Sequence, residues 1–290
     1  MNSVNLEAYI DQARALDVLG VNVTVRGEQI VTWRAEEECR RLIHSAAKSF
    51  TAMAVGFAVQ EGLVSLEEKL TDAFADELPG DVGENLQKAT VRDLLTMHLG
   101  HAQAHLMAGQ RPFYEEDDWV RMCLALPMPY VPGRRFCYSN LGPYLAGVLV
   151  QRRAGCDLVE YLTPRLFAPL GIKRPTWETD RQGRTFGAAG LMLTITELHR
   201  FGLFCLQRGM WEGKQLIDPA WIDECAKQQG PMPYGYLFWL GKRGSYRADG
   251  KYGQLSIILP EKEAVVTLVS ECRDTKALMR AVDAFIDEVL

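Results

Sequence analysis

The sequence predicts an α/β fold of the α+β type: one antiparallel sheet drawn from both ends of the chain, with a mostly helical section between. Three observations predict it. Strand-like runs occur early, in VNVTVRGEQIVTWR, and again late, in GYLFWLGK, SYRADG, GQLSIILP and AVVTLVSE. Between them apolar residues recur at helical spacing, broken by Pro and Gly, and nothing there alternates as a half-buried strand does. A sheet and a set of helices each carry an apolar face that has to be covered, and each can cover the other.

Taken in order, VNLEAYIDQARALD reads as an amphipathic opening helix. VNVTVRGEQIVTWR reads as a hairpin turning at Arg26-Gly27-Glu28. RLIHSAAKSFTAMAVGFAVQEG follows as a long apolar helix. TVRDLLTMHLG, EEDDWVRMCLAL, YLAGVLVQRRAG and LVEYLTPRLFAPLGI are shorter helical patterns. The acidic run Glu115–Asp118 suits a helix start, where negative charge is favourable. GLMLTITELHRFGLFCLQRG is a clear helix, with Thr196 expected to cap it at Glu197. Pro260-Glu261-Lys262-Glu263 turns the last two strands into a hairpin, and TKALMRAVDAFIDEVL closes the chain as an amphipathic helix. These elements divide the chain into a sheet unit, 1–63 with 187–290, and a helical unit, 64–186, with a site between them. No internal repeat is visible.

Composition narrows the class. With 290 residues, 48% apolar and 24% charged, the chain suits one large domain or two closely packed ones. A net charge of −5, with arginine pairs scattered along the chain, gives no reason to expect nucleic acid. The first twenty residues lack a basic segment followed by an apolar core, so no signal peptide is expected and the cytoplasm is the expected compartment. No run of about 18 apolar residues suggests a membrane span. Seven cysteines with no CxxC pair fit reduced thiols; Cys137 is the one beside a motif of interest.

Three short elements carry chemistry. Ser45-Ala46-Ala47-Lys48 is the only S-x-x-K, Tyr138-Ser139-Asn140 is the only Y-x-N, and Ala248-Asp249-Gly250-Lys251 ends a late strand. A serine hydroxyl is a poor nucleophile until a base takes its proton. On a helix, residues i and i+3 share a face, so Lys48 would sit one turn inside from Ser45. Its neighbours are small or apolar, and desolvation favours the neutral amine, which can accept a proton. Backbone N–H groups at the helix start could hold an oxyanion. Tyr138, near a cationic lysine, is expected to have a lowered pKa and to relay protons. Asn140 could hydrogen-bond both Lys48 and a substrate carbonyl. Each motif also has a plain reading: Ser45 a helix cap, Lys48 a surface charge, YSN a turn.

The chain resembles serine hydrolases of the β-lactamase and penicillin-binding-protein superfamily, in the class C β-lactamase-like branch with its esterases, D-amino-acid peptidases and 6-aminohexanoate-dimer hydrolases. The resemblance covers roughly residues 20 to 271 and rests on HSAAKSFTAMAVGFAVQEG, TVRDLLTMHLGH, VPGRRFCYSNLGPYLAGVLVQRRAG, YLTPRLFAPLGI, FGAAGLMLTITELHRFG and DGKYGQLSIILPEKEAVV. It implies a β-lactamase/transpeptidase-like fold and an acyl-enzyme mechanism without a cofactor or metal. Ser45 would be the nucleophile, Lys48 its proton partner, Tyr138 the general base and acid, and Asn140 a ligand of lysine and substrate. The backbone N–H groups of Ser45 and Lys251 would form the oxyanion hole, with Ala248 and Gly250 in the substrate-orienting strand. The family usually has Lys or His where this chain has Ala248. That departure lowers the expectation of an efficient β-lactamase or transpeptidase and favours a neutral ester or amide. It also leaves open a binding or sensing module that acylates once without turnover.

Other candidates are weaker. His98, His101 and His105 have H-x2-H-x3-H spacing but no carboxylate to complete a metal set, so a pocket-lining histidine is the better reading. Trp177, Phe186, Tyr234, Tyr236, Trp239 and Tyr252 are expected mainly in the core, some of them walling a pocket. Gly187-Ala188-Ala189-Gly190 reads as close backbone packing near the site, not as a nucleotide loop.

Overall fold

The computed structural model describes residues 6–290, so the first two positions of the expected opening helix, Val4 and Asn5, lie outside the described residues. Six strands form one antiparallel sheet: β1 (Val18–Val25), β2 (Glu28–Arg34), β3 (Trp239–Leu240), β4 (Tyr246–Gly250), β5 (Gln254–Leu259) and β6 (Ala264–Ser270). Their spatial order is β2-β1-β6-β5-β4-β3, so the early hairpin lies against the last strand. Val23 faces Val266 across one ladder, and Val266 faces Ile257 across the next. Arg26 and Gly27 both have positive φ, as a two-residue hairpin loop between twisted strands requires.

Alternation along the strands gives each sheet face its own partners. Leu255, Ile257 and Leu259 share an apolar cluster with Leu278, Val282 and Ile286 of the closing helix. Tyr246, Ala248 and Ile258 belong to the larger cluster on the opposite face, with Phe50, Phe201 and Phe204. The helices include α1 (Leu6–Ala15), α2 (Ala47–Gln60), α3 (Val91–Thr96), α4 (Trp119–Ala125), α5 (Leu141–Ala154), α6 (Leu158–Leu162), α7 (Ile195–Leu206), α8 (Pro219–Cys225) and α9 (Thr275–Val289), with two short ones at Leu70–Ala73 and Glu84–Lys88. Every residue of α2 from Ala47 to Ala58 is buried, as is every residue of α5 from Leu141 to Gln151. Helices apolar on all sides belong at the centre of a protein. Close approach makes this possible: a side chain at Gly142 would meet the Leu94 carbonyl at 2.4 Å. Buried His199 ties α7 to the sheet, its two ring nitrogens 2.8 and 2.9 Å from the hydroxyls of Thr24 and Thr267.

Two expectations need correction. Thr194, not Thr196, caps α7: its hydroxyl accepts from the Glu197 N–H while the Glu197 carboxylate accepts from the Thr194 N–H. That reciprocal pair needs a three-residue separation, which Thr196 lacks; Thr196 lies in the first turn and donates to Glu38. GYLFWLGK is strand only at Trp239–Leu240. Leu237 has positive φ and donates to the Leu95 carbonyl, which draws the segment toward α3 instead of along the sheet.

Phe50 is fully buried and stacks on Phe201 with ring centroids 3.9 Å apart. Phe50→Ala is expected to destabilise the fold by about 3–5 kcal/mol, read as a lowered urea midpoint.

Candidate active site

Ser45 sits in a single 3-10 turn, His44–Ala46, that leads directly into α2. His44 has a φ of 50°, so the chain bends sharply just before the serine. Ser45 caps nothing with its side chain. The turn leaves its hydroxyl at the open end of α2, while the next residues drop into the core. Lys48 is 1% exposed. Its Nζ lies 3.0 Å from Ser45 Oγ, 2.6 Å from Asn140 Oδ1 and 2.8 Å from the Ala188 carbonyl. No carboxylate pairs with it among the described residues. Burial, and then the nearby positive charge of Arg111, bring its pKa down to about 7. Its ammonium and neutral forms are therefore nearly balanced at neutral pH.

Tyr138 comes from the loop before α5. Its ring lies flat on Trp239, centroids 5.4 Å apart, and edge-on to Tyr234. Lys48 Nζ stands over the ring face, 5.1 Å from its centre. The expected lowering of its pKa is not found. Burial pushes the phenol up to about 12, the neighbouring Ser45 hydroxyl offsets part of this, and the negative charge of Asp249 adds to it. With a pKa of about 7, Lys48 has lost its charge by the pH at which a phenol titrates, so desolvation wins. Tyr138 stays a phenol at neutral pH.

Asn140 gives its carbonyl oxygen to Lys48 and an amide hydrogen to the Leu106 carbonyl at 2.9 Å. Its backbone N–H donates to the His105 carbonyl, and Ser139 also bonds the His105 backbone. The YSN turn is thereby stapled to residues 105–106, and Asn140 is 5% exposed.

The far wall is β4. A side chain on Gly250 would meet the Ile43 carbonyl at 2.2 Å, so only glycine lets this strand approach the serine turn. Lys251 follows it. Among the described residues neither the Ser45 nor the Lys251 N–H donates to another backbone carbonyl. A cleft of about 330 Å³ is lined by Ser45, Tyr138, Trp239, Arg247, Asp249 and Lys251. Ala248 does not reach it. Its methyl is fully buried in the core, because side chains alternate along a strand and the cleft takes the flanking positions. Arg247 and Asp249 occupy those positions and pair at 2.7 Å.

The histidines lie elsewhere. His98 is buried edge-on to Phe136, His101 Nδ1 is 3.1 Å from the Pro127 carbonyl, and the His101 and His105 rings are 5.3 Å apart. None of the three lines the cleft. Among the described residues no three His, Cys, Asp or Glu side chains converge as a metal set. Burial pushes the Cys137 thiol up, away from thiolate character. Sequence reasoning missed Arg111, Arg247 and Asp249, and missed that Ala188 is a lysine ligand. Its one signal was GAAG, where Gly187 and Gly190 both take positive φ and turn the Ala188 carbonyl inward.

An antiparallel sheet packed on a helix that buries a lysine beside a serine defines a β-lactamase/transpeptidase-like architecture. The chain belongs to the Beta-lactamase family, whose model matches residues 6–290. It is 24% identical over 176 residues to the N-acetylmuramyl-L-alanine amidase of Bacillus subtilis (strain 168), a match covering 57% of this chain and 40% of that protein. The chain thus spans well under half of that relative's length. Among solved structures, a candidate 6-aminohexanoate-dimer hydrolase from Bacillus anthracis superposes with a TM-score of 0.80 at 19% identity, over 96% of this chain and 80% of that one. The octameric penicillin-binding protein homologue from Pyrococcus abyssi gives 0.76 at 19% identity, over 99% and 78%. Likenesses at this identity establish the fold. Among the described residues no helix is long and apolar enough to cross a membrane.

Gly250→Ala is expected to push β4 off the serine turn. Reactivity of Ser45 toward a fluorophosphonate should fall roughly 10- to 100-fold. Far-UV circular dichroism should stay that of the parent protein.

Proposed function

We propose that the protein is a serine hydrolase that cleaves a small ester or amide through an acyl-enzyme. The observation that carries this reading is Lys48: a buried amine with no carboxylate partner, 3.0 Å from a serine hydroxyl at the edge of an open cleft. A lysine so placed in a structural role would be expected to keep a counter-ion. Membership of the Beta-lactamase family supports the same reading.

In this reaction the neutral Lys48 amine takes the proton of Ser45 as Oγ bonds to the substrate carbonyl carbon. Negative charge gathers on the carbonyl oxygen, between the N–H groups of Ser45 and Lys251. The tetrahedral centre collapses, the C–O or C–N bond breaks, and the proton held by Lys48 passes through the Tyr138 hydroxyl to the leaving group. Water then attacks the acyl carbon while its proton passes through Tyr138 to Lys48. The bond from that carbon to Ser45 Oγ breaks, Lys48 returns the proton to Oγ, and the acid is released. Tyr138 works as a phenol that accepts one proton while giving another, which its high pKa permits. Asn140 holds the lysine in line.

Ser45→Ala is expected to abolish hydrolysis of a p-nitrophenyl acylate, and a fluorophosphonate should label the parent chain stoichiometrically at Ser45. Undiminished hydrolysis in the alanine variant would overturn the proposal. Steady turnover beyond the first equivalent supports hydrolysis; a burst of one equivalent with no steady rate would favour the binding module that acylates once.

The pH dependence follows from Lys48. The amine accepts a proton only when neutral, so acylation is lost as pH falls through about 7 and reaches a plateau above it. Labelling rates measured between pH 5.5 and 9 check this, roughly tenfold slower for each pH unit well below the midpoint.

A further inference from the structure

Two of the three Lys48 acceptors, Asn140 and Ala188, are themselves held by one loop. Residues 104–111 form a tight body: the Met107 N–H donates to Gln110 Oε1, and Gln110 Nε2 donates to the Ala104 carbonyl. At one end the Leu106 carbonyl fixes the amide of Asn140, the first acceptor. At the other end Arg111 reaches the segment that supplies the second acceptor. Its guanidinium lies 4.3 Å from the centre of the Phe186 ring and ion-pairs with Glu178. Phe186 donates its N–H to the Glu178 carbonyl, Glu178 donates to the Gly190 carbonyl, and Ala188 lies between. The Ala188 carbonyl is the one that meets Lys48 at 2.8 Å. Arg111 Nε is buried without a hydrogen-bond partner. The guanidinium is therefore kept poorly hydrated near the lysine, which strengthens its field there.

We infer that Arg111 is a positioning residue of the site: through Phe186 and Glu178 it fixes the 178–190 segment whose Ala188 carbonyl holds Lys48. Its positive charge acts on the same amine, toward the neutral form. The inference rests on reading Lys48 as the proton acceptor of Ser45. Glu178 is the counterweight. By partly cancelling the guanidinium charge it limits how far that bias goes. The other charged or titratable groups around Lys48 are Tyr138 on its ring side and Arg247, Asp249 and Lys251 across the cleft. None of these is paired with Arg111 or Glu178 among the described residues, so the pair can be tested on its own.

The sign differs between the two partners. Removing Arg111 deletes a positive charge and leaves Glu178 uncompensated, and both changes favour the ammonium of Lys48. Removing the charge of Glu178 leaves Arg111 unopposed and favours the neutral amine. A purely structural contact would not move the titration in opposite directions.

The experiment is an NMR titration of Lys48 in full-length protein carrying 13C-enriched lysine, its signal assigned by its loss in Lys48→Gln. Arg111→Gln is expected to raise the midpoint by roughly 0.5–1 pH unit and Glu178→Gln to lower it. Arg111→Lys keeps the charge but loses the flat contact with Phe186. It should leave the midpoint unchanged while slowing fluorophosphonate labelling of Ser45 several-fold. A midpoint in Arg111→Gln equal to or below that of the parent overturns the inference. If Arg111→Gln is poorly folded, Glu178→Gln decides alone: a downward move supports the inference, and no move or a rise overturns it. Labelling separates this from the proposed function. A parent protein whose Lys48 titrates as expected but whose Ser45 never labels sinks the hydrolase reading. Labelling with an unmoved midpoint sinks only the role of Arg111.

Discussion

An amine buried without a carboxylate is the constraint on which the rest of the site depends. Moving an ammonium out of water is costly, and a protein meets that cost with a counter-ion or by giving up the proton. Among the described residues Lys48 meets only neutral oxygens: a hydroxyl, an amide and a backbone carbonyl. Relative to a lysine in water, the fold favours the neutral amine by roughly 5 kcal/mol. That is a large fraction of the whole stability of a typical domain. The sequence around it supplies the burial. Ala46, Ala47, Phe50 and Met53, its neighbours along the chain, are buried in the core, and α2 carries Lys48 in with them.

Geometry around the lysine follows from that one requirement. Three acceptors have to arrive from three separate segments, and each is pinned by backbone contacts of its own. Ser45 is set by the sharp turn at His44, Asn140 by the 105–106 backbone, and Ala188 by the two glycines that end GAAG. The strand at the edge of the cleft obeys the same logic from the other side. It can come up to the serine turn only because Gly250 has no side chain to strike Ile43. Precision here comes from missing atoms as much as from present ones.

Much of this was legible in the sequence, and the failures have physical causes. Periodicity found the hairpin, the apolar α2, the helical middle and the amphipathic closing helix, because each has a strong period and clear turn residues. Motif spacing pointed to Ser45, Lys48, Tyr138 and Asn140, and the structure brings these four side chains together. Arg111 and Ala188 were not legible: one lies in an irregular loop, and the other contributes only a carbonyl, which any residue has. Arg247 and Asp249 were within reach. Had the strand been phased on Tyr246 as buried, alternation would have placed both in the cleft and Ala248 in the core. The tyrosine was misjudged through magnitude. A nearby cation does lower a phenol's pKa, but Lys48 is itself uncharged where a phenol titrates, and loss of water decides.

The charges on β4 make sense against this background. With a protonated tyrosine, the cleft beside Ser45 holds among the described residues no carboxylate except Asp249, and Arg247 pairs with it at 2.7 Å. Asp249 still acts at a distance, where its charge disfavours a phenolate at Tyr138. Lys251 remains unpaired by any salt bridge among the described residues. Its amine stands over the Tyr252 ring, and its residue follows the strand end that Gly250 presses toward the serine. In the proposed reaction negative charge appears beside the Lys251 N–H, next to the one cleft cation without a counter-ion. An arrangement that keeps the tyrosine protonated, lets the lysine give up its proton near neutral pH and leaves the far wall mildly positive suits a negative charge that exists only during the proposed reaction. A substrate anion bound permanently there would gain the same attraction before any bond changed, which would stabilise the ground state as well and leave less for the transition state.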